Sequence, residues 1–183
     1  MRTFVAIEVP KDLKKRIISI QNKLEGVDIK LVEPENLHFC LKFLGETSED
    51  QIPDIINILD KISAQFEAFD VEIHGMGGFP SNTYIKALWM GTKDGTNELM
   101  GLAEAIDLQT SKIGFKEEDR TFKAHLTLGR LRSKKGKEMV SELLNSNLDT
   151  SFGVFRATSI KLIKSELSPN GPQYSVVHEA KLC

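Results

Sequence analysis

No apolar run in the 183 residues reaches the ~18 positions that would suggest a membrane-spanning helix. No basic-then-apolar leader with a small-residue cleavage site opens the sequence, so the cytoplasm is the expected compartment. Cysteine is scarce: Cys40 and Cys183 stand alone, outside any CxxC pair, which argues against a disulfide framework. The plain expectation for Cys40 is a buried free thiol. Charge of one sign is also lacking. With 24 basic against 26 acidic residues and a net charge of −2, a broad grip on duplex nucleic acid is not expected. A local basic cleft stays open, because net charge says nothing about distribution. No linker rich in Pro, Gly or Ser divides the chain, so residues 1–183 read as one domain of two lobes. Gly75 to Pro80 is rich in glycine, yet it has neither dinucleotide-binding spacing nor a Gly-Lys-Ser/Thr ending. It reads as a loop with no phosphate role, and no cofactor is expected.

What is present is a regular alternation of short elements. β-branched residues and period-two patterning predict strands at 3–9, 27–32, 37–44, 69–74, 84–90, 121–131, 150–155, 159–165 and 174–182. Apolar residues at helical spacing predict helices at about 11–24, 47–66, 96–111 and 137–144. Pro10 and Asp12 start the first of these, and Ser168 to Pro172 joins the last two strands. The pattern, a coarse β-α-β-β order in each half, implies an α+β fold whose halves are lobes of one domain.

Two strands carry a repeated signature, one in each half. The first reads His38-Phe39-Cys40-Leu41-Lys42-Phe43-Leu44-Gly45, the second His125-Leu126-Thr127-Leu128-Gly129-Arg130. Strand side chains alternate faces. Phe39, Leu41 and Phe43 are therefore expected on the core side, with His38, Cys40 and Lys42 opposite. In the second copy Phe122, Ala124, Leu126 and Leu128 face the core, with Lys123, His125 and Thr127 opposite. Each strand then presents an imidazole beside a small donor. Imidazole titrates near neutral pH, so one ring can be neutral while the other is protonated. That pair suits phosphoryl transfer, one ring taking a proton from the nucleophile and the other giving one to the leaving oxygen. The small donors would bind non-bridging phosphate oxygens, where charge collects in the transition state. His74 and His178 lack this context and read as structural.

The motifs HFCLKFLG and HLTLGR resemble the paired His-x-Thr/Ser motifs of the 2H phosphoesterase superfamily. The segments TFVAIEVP, ENLHF, GGFP…ALWMG and SELSPNGPQYSVV resemble its RNA 2′,3′-cyclic phosphodiesterase branch, first named for 2′-5′ RNA ligase activity. The resemblance implies a bilobal α+β fold, two pseudo-symmetric lobes of antiparallel sheet with outer helices around a central cleft, and metal-independent hydrolysis of a terminal 2′,3′-cyclic phosphate to a 2′-phosphate. It implies a monomer acting on RNA ends, such as tRNA halves or short oligonucleotides. It makes His38 and His125 the catalytic pair, with His125 as base and His38 as acid, and Cys40 and Thr127 the phosphate-side donors.

Cys40 departs from the motif, since a thiol is a weaker donor than a hydroxyl. Arg130 matches a family residue at the phosphate. Simple alternation puts it on the core face, so it needs a bulge at Gly129 to reach the cleft. Lys42 shares the face of His38 as a further candidate for substrate binding, or else is a solvated strand end. Phe4 could stack on a base or pack in the core. Three other readings compete: ligation of RNA ends by the reverse reaction, a non-catalytic RNA-end binder, and a zinc site of His38, Cys40 and His125.

Overall fold

The structure is a computed structural model that describes residues 1–183. Its strands are β1 (Arg2–Glu8), β2 (Ile29–Leu31), β3 (His38–Glu46), β4 (Phe69–Pro80), β5 (Ile85–Thr92), β6 (Leu126–Leu131), β7 (Ser151–Ala157), β8 (Ser159–Ser168) and β9 (Gly171–Lys181). Its helices are α1 (Lys11–Gln21), α2 (Ile52–Ser63), α3 (Thr96–Ser111) and α4 (Lys137–Asn145). All strand pairings within the two sheets are antiparallel: one sheet runs β3-β1-β8-β9, the other β2-β6-β5-β4-β7. The architecture is α+β and bilobal. No helix is long and apolar enough to cross a membrane.

Local chemistry explains the helix starts. Pro10 is extended just before α1 and cannot continue a strand ladder, and Asp12 lies in the first turn. Ser48 and Gln51 form a reciprocal capping box ahead of α2. Each helix buries one stripe: Leu13 and Ile17 of α1, Ile55 and Leu59 of α2, Leu99, Leu102 and Ile106 of α3, Val140 and Leu144 of α4. These join Val5, Phe39, Ile73, Leu88 and Leu126 in one continuous apolar core shared by both sheets.

Three expectations are corrected. Residues 75–80 are not a loop, because β4 runs unbroken from Phe69 to Pro80. The glycines are there for close approach: a Cβ on Gly77 would lie 2.3 Å from the Trp89 ring on β5. The second motif strand begins at Leu126 rather than at residue 121, so His125 sits just before the ladder. The β8–β9 hairpin is longer than the pattern implied. Ser168 pairs with Gly171, so only Pro169 and Asn170 make the turn.

The strongest departure from simple alternation is a pair of bulges. Val5 lies opposite Lys42 and Ala6 opposite Cys40, so Leu41 is an extra residue on β3. Leu88 lies opposite Gly129 and Trp89 opposite Thr127, so Leu128 is extra on β6. Both leucines follow their histidine by three residues. A bulge puts two consecutive side chains on one side and swaps the faces beyond it. Leu41 and Lys42 are accordingly both buried, and Phe43 is 63% exposed. Leu128 and Gly129 are both buried, and Arg130 is exposed.

Candidate active site

β3 and β6 come into contact where the two sheets meet. The charge of His125 bears on His38, and that of Arg130 on His125 and Tyr174, in keeping with this contact. The bulge on β6 is held in place. The Leu128 carbonyl faces β2, where it accepts the Val32 N–H at 2.9 Å and the Gln21 Nε2–H at 3.0 Å. Gln21 is 4% exposed and also donates to the Val32 carbonyl at 3.0 Å. The buried amide therefore ties the extra residue of β6 to the chain leaving β2.

The two imidazoles are presented in matching ways. His125 Nδ1 lies 2.7 Å from the Lys123 carbonyl, two residues back. The Asn36 carbonyl, also two residues back, stands beside the ring of His38 and favours its charged form. A ring that donates from Nδ1 to a carbonyl leaves Nε2 as its working nitrogen. Aromatic walls fix both rings. Phe4 stacks on His38 with centroids 4.8 Å apart, and Tyr174 meets it edge-on at 5.4 Å. Phe79 meets His125 edge-on at 4.9 Å, and Trp89 lies at 6.4 Å. The Lys123 ammonium covers Trp89 at 4.6 Å, a cation–π contact that keeps this wall in place.

Burial is the main influence on both rings. It disfavours the imidazolium and lowers His38 from 6.5 to about 4, helped by Lys14 and His125 and opposed by the Asn36 carbonyl and Glu8. His125 is lowered by burial as well, with Arg130 and Lys123 adding to the effect and the Lys123 carbonyl opposing it. Glu8, paired with His38 across the β1–β3 ladder, is itself held below its ordinary value by Lys161 first, and by Lys14.

The other expected site residues divide. Cys40 lies next to His38, packed against Phe4, Ala6 and Ile163. Burial pushes its thiol up to about 12, so it is a neutral S–H rather than a thiolate. Thr127 is half-buried on β6 beside Trp89. Arg130 reaches the cleft face through a bulge, as it had to, but the extra residue is Leu128 rather than Gly129. Gly129 is needed because a Cβ there would lie 2.9 Å from the Lys30 carbonyl of β2.

Lys42 does not share the His38 face. The bulge turns it into the protein, where it is 3% exposed and bonds Asp107 of α3 and the Lys116 carbonyl, each at 2.5 Å. Phe4 offers no face to a base, because it is 1% exposed and covered by His38, Phe43 and Tyr174. His38, Cys40 and His125 do not form a ligand set, and no three His, Cys, Asp or Glu side chains are gathered closely enough to hold a metal.

Sequence patterning misses Phe43 and Tyr174. Period-two alternation assigns Phe43 to the core because it carries no sign of a bulge. Tyr174 lies on β9, and only its place in a motif-bearing segment hints at a role.

Comparison with known proteins identifies relatives of the whole chain. Residues 7–89 and 91–174 match the family described as LigT like Phosphoesterase. The RNA 2′,3′-cyclic phosphodiesterase of Methanocaldococcus jannaschii is 37% identical, covering 98% of this chain and 99% of its own length. That of Archaeoglobus fulgidus is 36% identical, covering 95% and 96%. Among solved structures, TT0787 of Thermus thermophilus is similar with a TM-score of 0.86 and 25% identity, covering 100% of this chain and 98% of that one. LigT of E. coli complexed with 3′-AMP shares the fold, with a TM-score of 0.81 at 22% identity and coverage of 99% and 97%.

Proposed function

The chain belongs to the LigT-like phosphoesterases, and from that premise we propose that it hydrolyses 2′,3′-cyclic phosphates at RNA ends to 2′-phosphates. The observation that supports the reading is the pair of imidazoles on the two strands in contact, each with a carbonyl two residues earlier beside its ring. The relatives named as RNA 2′,3′-cyclic phosphodiesterases supply the substrate class.

In the proposed step a water oxygen attacks phosphorus and its proton passes to His125 Nε2. The bond from phosphorus to the 3′-oxygen breaks, and His38 Nε2–H protonates that oxygen. A 2′-phosphate and a free 3′-hydroxyl result. His125 ends protonated and His38 neutral, and solvent restores both. Burial holds His38 neutral before substrate arrives. The phosphate's negative charge favours the imidazolium, so the ring takes up from solvent the proton that it then gives as acid. Thr127 Oγ1–H, the Cys40 thiol and the Arg130 guanidinium serve the non-bridging oxygens as charge builds there. No metal takes part. Phe43, exposed at the cleft, offers a ring on which the terminal base stacks, a contact worth about 1–3 kcal/mol.

The test is turnover of a nucleoside 2′,3′-cyclic phosphate in chelator, with His38→Ala and His125→Ala. Each substitution is expected to lower kcat by ~10²–10⁴-fold. Binding without turnover by the parent protein would sink the reading in favour of an RNA-end binder. Abolition of activity by chelator would refute metal independence.

A further inference from the structure

The two motif strands leave the cleft over very different surfaces. Beyond Phe43 the chain continues Leu44-Gly45-Glu46-Thr47-Ser48-Glu49-Asp50, with three acids and no cation. Beyond the matching Arg130 it continues Leu131-Arg132-Ser133-Lys134-Lys135-Gly136-Lys137, with four further cations and no acid. Arg130, Arg132, Lys134, Lys135 and Lys137 are all exposed. None of the five belongs to any of the chain's ion pairs. A cation run is usually a solvated face, and such faces normally carry mixed signs or local partners. Here acids stand at the margins, Asp28, Glu33 and Glu138, but none of them pairs with these five cations.

The run is also built rather than loose. The Arg132 N–H donates to the Asp28 carbonyl at 2.9 Å, and the Asp28 N–H donates to the Lys135 carbonyl at 3.2 Å. These bonds extend the β2–β6 pairing into the turn. Gly136 then turns the chain into α4 at φ 79°, and a Cβ there would lie 2.8 Å from Val27. Lys30 stands opposite Arg130 across that ladder and so shares its face.

We propose that Arg132, Lys134 and Lys135 form a rail that binds the phosphates of single-stranded RNA upstream of the cyclic-phosphate end. This rests on the phosphodiesterase reading of the cleft and goes beyond it. The terminal nucleotide sits between the histidines, and the preceding strand leaves past Arg130 along the rail. The acidic run after Phe43, in which Glu49 and Asp50 have no cationic partner while Glu46 pairs with Arg2 and the N-terminal ammonium, disfavours the other exit for a polyanion. Strand polarity follows from this charge asymmetry. Single-stranded RNA fits better than duplex, because the rail is one short ridge beside a narrow cleft.

The decisive measurement is the salt dependence of binding, read from 50 to 200 mM KCl. Two ligands are compared: a nucleoside 2′,3′-cyclic phosphate and a fluorescent ten-nucleotide RNA bearing the same end. Neutralising three upstream phosphates is expected to steepen the oligonucleotide's log–log slope by about 2 relative to the mononucleotide, at about 0.7 per phosphate. Its Kd should then rise about twentyfold more over that range. The triple variant R132Q/K134Q/K135Q should reduce the oligonucleotide slope to that of the mononucleotide and leave mononucleotide turnover unchanged. Equal slopes for the two ligands in the parent protein would overturn the rail, as would an unchanged oligonucleotide slope in the variant. An acidic peptide of the same length that competes as well as the RNA would refute the choice of partner. Failure to hydrolyse either ligand strikes only the catalytic reading, because the slopes are measured by binding.

Discussion

Replacing Lys42 by methionine separates a structural role from a role at the substrate. The Lys42 side chain is 1% exposed, and its ammonium lies 2.5 Å from an Asp107 oxygen and 2.5 Å from the Lys116 carbonyl. A hydrogen bond to a charged group contributes about 1.5–3 kcal/mol, and a buried acceptor left unpaired costs about 1–3 kcal/mol. Asp107 keeps the Glu118 N–H at 3.2 Å and is 18% exposed, so water can partly replace the lost cation. The loss should therefore sit at the low end of the range for breaking a buried pair, about 3 kcal/mol. For a chain of this size that corresponds to a fall of about 6–12 °C in Tm. Urea denaturation measures the free energy directly. The double variant K42M/D107L should regain part of the loss, because it no longer strands a carboxylate. Turnover of a nucleoside 2′,3′-cyclic phosphate by the folded single variant should stay within about tenfold of the parent, since no interaction made only in the transition state is removed. The opposite outcome would refute the reasoning: stability within about 1 kcal/mol of the parent together with a hundredfold loss of kcat/KM. It would return Lys42 to the substrate.

Other expectations follow from the same geometry. Both histidines lie below 6.5 in the empty cleft. The base is lost as pH falls through its value and the acid as pH rises through its own, so kcat/KM should peak below pH 6.5. The kcat profile should peak at higher pH, because the bound phosphate favours the charged rings; a kcat/KM maximum above pH 7 would contradict this. One thiol per native chain should react with a soluble alkylating reagent and two after unfolding, because Cys183 is exposed, whereas Cys40 is half-buried and held as a neutral thiol, pushed up to about 12. Rapid labelling of Cys40 in the native protein would show that the cleft wall opens. Cys40→Thr should retain or improve turnover, and a collapse would give the thiol a role of its own. Gln21→Met should cost about 1–3 kcal/mol by removing two hydrogen bonds of a buried amide and should weaken catalysis through Arg130. Unaltered stability in a denaturant titration would mean that the bulge does not depend on the amide.

The sheets and helices are legible in the sequence because their patterning is local. Alternation also identifies the core side of each motif strand as far as Leu41 and Leu128. It fails one step later, where each strand carries an extra residue. A bulge is set by pairing with a partner strand and leaves no mark in the period of its own residues. This is why alternation assigns Lys42 and Phe43 to each other's faces. Arg130 escapes the same error only because Gly129 suggests that the strand can bend. The glycines of β4 mislead for a related reason. Their smallness answers to Trp89 on the neighbouring strand, a contact invisible along the chain. The histidines are the easiest to find, since a ring beside a small donor recurs in both halves.

The paired bulges divide each motif strand into two stretches with separate obligations. Up to the extra leucine, every other side chain is committed to the shared core, and a change of volume there is felt across both lobes. Past it, the outward position faces the cleft, where Phe43 rests on the buried ring of Phe4. The two halves can therefore keep the same histidine and diverge completely five residues on, into Phe43 in one and Arg130 in the other, while the core shared by both sheets stays as it is. A scaffold partitioned in this way can be retuned for a different base, phosphate or chain length by substitutions confined to the far side of two leucines.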